Sequence, residues 1–205
     1  MDVHWIFFDV GSTLVDETEA YNHRIREMIE NTDIPFSAFD NKRIELAKQG
    51  LDGNSEAIRY FGLKKTPWYS EDEKPFDDAT DTLEFLKKRG YQLGIIANQT
   101  AGTAQRLAAW GLLEYFDVIA ASAELGAAKP DKLIFEKAFT LAGCQPQNAV
   151  MVGDRLDNDI IPAKELGMGT VWIRKGLAIH QPLALGKDCA DWIIEELSDL
   201  KEIFA

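Results

Sequence analysis

The stretch Trp5-Ile6-Phe7-Phe8-Asp9-Val10-Gly11-Ser12-Thr13-Leu14 decides how the chain is read. Four apolar residues in a row describe a fully buried strand rather than one that alternates between core and water. The strand ends on one carboxylate, Asp9, which enters a loop of small, turn-prone residues at Gly11, Ser12 and Thr13. A strand-end Asp by itself more often caps a turn than does chemistry. Its meaning depends on what the rest of the chain places beside it.

Outward from this strand the same unit recurs. Apolar runs at 93–97, Val118–Ala121, 149–152 and 170–173 read as strands, with a shorter one at 191–194. Helical spacing fills the gaps: Ala79, Leu83 and Leu86 after Asp77; Ala104, Leu107 and Ala108 after Thr100; Ile134, Phe135, Ala138 and Phe139 after Asp131. A helix around Ala163 and another from Ser198 complete the series. Repeated strand, loop and helix predict an α/β fold, a Rossmann-like, doubly wound, mainly parallel sheet with helices on both faces. Its functional loops should share the edge where the strands end, which gathers Asp9, Asn98 and Asp154.

The alternation breaks between 15 and 75. Asp16 and Glu19 read as a capping box for a helix striped by Tyr21, Ile25, Met28 and Ile29. Further helix is predicted at 37–48 and 55–61, before a polar return at 65–75. The expected organisation is an α/β core from 1–14 and 76–205, with 15–75 an inserted helical cap and its linkers.

With 205 residues and 46% hydrophobic content the chain can bury a sizeable core. A net charge of -12 opposes attraction to nucleic acid or an anionic membrane and favours a small soluble substrate. Cys144 and Cys189 have no CxxC spacing, so neither a disulfide framework nor a cysteine zinc site is indicated, and His4, His23 and His180 lack paired ligand spacing. The amino-terminal stretch lacks the basic region of a secretory signal, and no apolar run approaches the ~18 residues of a membrane span. A cytoplasmic location is expected.

A second motif, Val150-Met151-Val152-Gly153-Asp154-Arg155-Leu156-Asp157-Asn158-Asp159, sets three acids at a predicted helix entrance. Capping explains one acid there, not three that repel one another. A hard divalent cation with oxygen ligands relieves that repulsion. Between the motifs, Lys129 precedes Pro130, a pair that alone reads as a solvated loop lysine.

In this order on this scaffold, the motifs resemble the haloacid dehalogenase-like (HAD) hydrolase superfamily, in its subgroup with a helical cap after the first strand. The resemblance spans nearly the whole chain. It rests on the Asp9 loop, Gly94-Ile95-Ile96-Ala97-Asn98, Lys129-Pro130 and the Gly-Asp-x-x-x-x-Asp pattern of Gly153, Asp154 and Asp159. It implies a magnesium-dependent phosphatase of a small phosphorylated metabolite, in which Asp9 attacks phosphorus and water hydrolyses the aspartyl-phosphate. It further implies that Asp9, the Gly11 carbonyl and Asp154 bind Mg2+, with Asp159 a ligand or just behind one. Lys129 would neutralise Asp9 and the phosphoryl oxygens. Asn98 and the amides of the Gly11 and Ser12 loop would orient the phosphoryl group, or Asn98 simply stabilises its turn.

Two positions depart from the family pattern. Gly11 stands where its phosphatases carry the Asp that protonates the leaving group, a role worth about 100- to 10,000-fold. Ala97 stands where they supply a hydroxyl to phosphate, a hydrogen bond of roughly 1.5 to 3 kcal/mol. The alternatives are a phosphate-binding or regulatory protein with little turnover and, against the acidic motif, a metal-free 2-haloacid dehalogenase. Arg24, Arg43 and Arg59 either hold a second substrate anion or sit on solvated helix faces. Arg155 either touches substrate or pairs with Asp157, and Trp68 and Tyr69 are expected to pack where cap meets core.

Overall fold

The computed structural model describes residues 2–205. Strand β1 (Trp5–Phe8) is followed by β2 (Val15–Asp16), α1 (Thr18–Ile29), α2 (Phe36–Ala47), α3 (Gly53–Tyr60) and β3 (Lys74–Pro75). The chain then alternates through α4 (Ala79–Lys88), β4 (Gln92–Ala97), α5 (Thr103–Ala109), β5 (Val118–Ala121), α6 (Ser122–Leu125) and α7 (Lys132–Ala142). It closes with β6 (Ala149–Gly153), α8 (Ile161–Glu165), β7 (Gly169–Ile173), α9 (Leu183–Lys187), β8 (Trp192–Ile194) and α10 (Leu200–Ile203).

Six strands form one sheet in the order β5-β4-β1-β6-β7-β8, every neighbouring pair parallel. From β1 the chain winds outward one way through β4 and β5, then returns to wind the other way from β6. The reversal leaves a crevice beyond the carboxyl ends of β1 and β6, where ligands bind in open α/β sheets. Asp9 follows β1 and Asp154 follows β6, and the Asp9 N–H still donates to Val152 O at 2.9 Å.

Burial on both faces explains the unbroken apolar runs. Ile6 and Phe8 pack with Ile95 and Val152 against Leu83, Leu86 and Leu107, whereas Trp5 and Phe7 point the other way, towards Ile134, Phe135 and Ala138. The doubly wound, Rossmann-like expectation therefore holds.

Helices α1, α2 and α3 gather their own apolar cluster around Ile25, Met28, Phe39 and Ala57. The chain enters and leaves this segment through a two-stranded antiparallel ribbon, with Val15 opposite Pro75 and Asp16 opposite Lys74. The ribbon corrects the expected capping box. Asp16 is held in β2, so its Oδ1 accepts from Thr18 N at 2.8 Å and α1 starts later, while Glu19 accepts from Asn22. The helix expected after Thr100 likewise begins at Thr103, because residues 98–102 form a loop over the sheet edge.

Candidate active site

Lys129 lies at the centre of the site. Its side chain is almost wholly buried, and its Nζ donates to Ile96 O at 2.8 Å while meeting Asp9 Oδ1 at 2.8 Å and Asp159 Oδ1 at 2.6 Å. A backbone carbonyl and two carboxylates thus lie within reach of the three ammonium protons. Asn98 brackets the same residue: Lys129 N donates to Asn98 Oδ1 at 2.7 Å, and Asn98 Nδ2 donates to Lys129 O at 2.8 Å. These two bonds fix the turn at Asn98, whose side chain also lines the site.

The third carboxylate arrives through a wide π-helical turn, Leu156–Ile160, that follows β6. It folds Asp159 back so that its Oδ2 accepts from Arg155 N at 3.0 Å. Gly153 permits this approach, since a Cβ there would lie 2.4 Å from Asp159 Oδ2. One ligand atom from each of Asp9, Asp154 and Asp159 lies within 4.8 Å of the others.

The charges in this cluster do not balance. Burial, then repulsion from Asp159 and Asp9, pushes the Asp154 carboxyl well above the carboxylate range. Burial and Asp9 raise Asp159 too, against the opposing pull of Lys129. Burial opposes the charge on Lys129, but Asp159 and Asp9 outweigh it and hold the ammonium protonated to higher pH. Three clustered carboxylates with one ammonium among them fit a hard divalent cation. Asp157 does not join them. It forms a two-point pair with Arg155, whose other arm reaches Asp52 Oδ2 at 3.0 Å.

The cluster opens into a cavity of about 350 Å3 whose lining includes Asp9, Gly11, Glu17, Arg43, Asn98 and Asp154. Of the three arginine candidates only Arg43 faces it, held by Asp40 at 2.7 Å and by Asn54. Arg24 donates to Thr66 O and stacks on Trp68, and Arg59 pairs with Glu56 at the surface. Trp68 packs on Tyr21 and donates to Glu73, and Tyr69 stacks on His23, which places both aromatics in packing.

A model of the haloacid dehalogenase-like hydrolase family matches residues 3–167. The chain belongs to that family. A glyceraldehyde 3-phosphate phosphatase of Methanothermobacter thermautotrophicus is 36% identical over 97% of this chain and 98% of its own length. A pyrophosphatase of Bacillus velezensis is 32% identical over 62% of this chain and 58% of its own. The crystal structure of a HAD phosphatase from Thermococcus onnurineus covers 100% of the chain and 98% of its own, at 27% identity and a TM-score of 0.68. The protein is thus a hydrolase, with HAD-family phosphatases among its relatives.

In this HAD hydrolase the two departures have physical settings. Ala97 is buried at the end of β4, without a hydroxyl to offer. Gly11 faces the carboxyl of Glu17, a residue sequence reasoning passed over in favour of Asp16 and Glu19. Glu17 Oε2 accepts from Ser12 Oγ at 3.0 Å, and Ser12 itself takes a left-handed backbone at φ 51°. Burial, with smaller repulsion from Asp9, Glu73 and Asp16, outweighs the Ser12 hydrogen bond and pushes the Glu17 carboxyl up to about 8. The empty side-chain position at Gly11 was the available signal, because it leaves room for an acid from farther along the chain.

Proposed function

We propose that this hydrolase is a magnesium-dependent phosphatase of small phosphorylated metabolites, working through a phosphorylated Asp9 beneath a cap formed by residues 15–75. The observation that carries the reading is the buried Lys129 ammonium joining Asp9 and Asp159 on the floor of a cavity of about 350 Å3. That volume sits at the small end of ligand sites. The names of the relatives support phosphate as the group removed, and one of them points to a three-carbon sugar phosphate.

Asp9 stands at the end of β1 and lines the cavity together with Gly11 and Ser12 of the loop that follows it, which suits it to attack phosphorus. Lys129 holds Asp9 in place and offsets negative charge as the phosphoryl group approaches. Splitting the reaction into attack by Asp9 and later hydrolysis by water replaces one hard displacement with two easier ones. Asp9, Asp154, Asp159 and the Gly11 carbonyl are the groups that would hold Mg2+, which would supply electrostatic stabilisation of phosphoryl oxygens. Asn98 acts indirectly, by fixing the backbone of Lys129.

A panel of phosphate esters, including glyceraldehyde 3-phosphate, pyrophosphate and 4-nitrophenyl phosphate, assayed with magnesium and with chelator, tests the reading. Release of phosphate from at least one ester, lost on chelation, is expected. Equal rates with and without chelator would remove the metal from the proposal, and no phosphate release would remove the activity.

A further inference from the structure

We propose that Glu17 is the proton-transfer residue of this site, its carboxyl standing where the side chain of residue 11 would otherwise project. The assignment rests on the phosphatase reading above and supplies the acid and base which that reaction needs. A Cβ built on Gly11 would lie 2.3 Å from Glu17 Oε1, 2.6 Å from its Cδ and 2.7 Å from Oε2. The two side chains cannot share that volume, so the glycine at 11 admits the carboxyl from 17.

Other cavity acids are committed elsewhere. Asp16 accepts from Thr18 N, Asp40 pairs with Arg43, and Asp52 takes both Ser55 N and Arg155. Among the described residues Glu17 takes its side-chain hydrogen bond from Ser12 Oγ, on the very loop that follows Asp9. Its backbone position is set by the β2–β3 ribbon directly before it, which fixes where the carboxyl returns to the loop.

Asp9 forms a bond to phosphorus, the bond from phosphorus to the ester oxygen breaks with its electron pair on that oxygen, and Glu17 gives the oxygen a proton. The alcohol leaves, with phospho-Asp9 and the Glu17 carboxylate remaining. Glu17 then takes a proton from a water whose oxygen attacks phosphorus, the bond to Asp9 breaks, and inorganic phosphate, free Asp9 and protonated Glu17 result.

An alkyl alkoxide needs that proton far more than 4-nitrophenolate does, which makes the leaving group diagnostic. Glu17→Gln should lower kcat for glyceraldehyde 3-phosphate by about 100- to 10,000-fold with KM little changed. With 4-nitrophenyl phosphate it should give a burst of one nitrophenolate per enzyme followed by slow turnover, because attack survives and hydrolysis of phospho-Asp9 does not. The relocated acid, Gly11→Asp with Glu17→Ala, should recover alkyl-phosphate turnover over Glu17→Ala alone. Wild-type kcat on the alkyl ester in Glu17→Gln overturns the assignment, as does a uniform loss on both esters without a burst that the relocated acid fails to repair. Asp9→Asn separates the two levels: continued turnover in that variant sinks the phosphatase mechanism itself, whatever Glu17 does.

Discussion

At the scale of single residues, Lys129 shows how little of a site its own sequence neighbourhood contains. As Ala128-Lys129-Pro130 it is an ordinary loop lysine, and only the matching motifs on either side give it a role. Its burial and its bond to Ile96 O come from a contact 33 residues away in the chain, which no local pattern reports. Removing one partner of a buried charge group leaves the others uncompensated, at a cost of about 3 to 5 kcal/mol. Lys129→Met should therefore lose stability of that order in urea unfolding with chelator present, and lose turnover as well. A change under about 1 kcal/mol would mean that Asp9 and Asp159 do not depend on the ammonium. Glu17 escaped the sequence for a related reason: its partner Ser12 lies five residues back, and the return is imposed by a ribbon too short to show a period. Asp9 and Asp154 were legible because each directly follows a strong apolar strand.

At the scale of elements, strands were the easiest feature to read and their connections the hardest. Unbroken apolar runs mark β1, β4, β5, β6 and β7, but the two-residue strands β2 and β3 carry no pattern of their own. The ion pair between Asp52, at the start of α3, and Arg155, after β6, ties the helical segment to the sheet edge at 3.0 Å. Burial works against the Asp52 carboxylate, yet Arg155 and the hydrogen bonds from Ser55 more than compensate and hold it below its ordinary 3.8. A carboxylate depressed in the folded state contributes stability that is present above its unfolded pKa and is lost as pH falls through the folded one. Asp52→Asn keeps a side chain able to cap α3 but removes the charge. Its unfolding midpoint should fall below wild type at neutral pH, with the gap closing below about pH 3.8. A gap of constant size across that range would assign the loss to packing rather than to the ion pair.

At the scale of the whole molecule, the order β5-β4-β1-β6-β7-β8 creates the crevice, and the acidic cluster occupies it. Sequence alternation conveyed the sheet and its functional edge, because every strand leads into a helix and returns. It could not convey which of three acids after β6 face inward, since the π-helical turn alone sends Asp159 to the cluster and leaves Asp157 with Arg155. A cation bound only by the folded chain stabilises it by mass action, by about 2.7 kcal/mol at a hundredfold excess over Kd. Magnesium should accordingly raise the Tm of the wild-type protein and raise it much less in Asp154→Asn; an equal rise in both would place the ion elsewhere. The most direct test of the central claim is the location of phosphate during turnover. Enzyme mixed with magnesium and glyceraldehyde 3-phosphate, quenched in acid within the first turnover and mapped by mass spectrometry, should carry one phosphoryl group on Asp9. Phosphate on another residue, or undiminished turnover by Asp9→Asn, would contradict it.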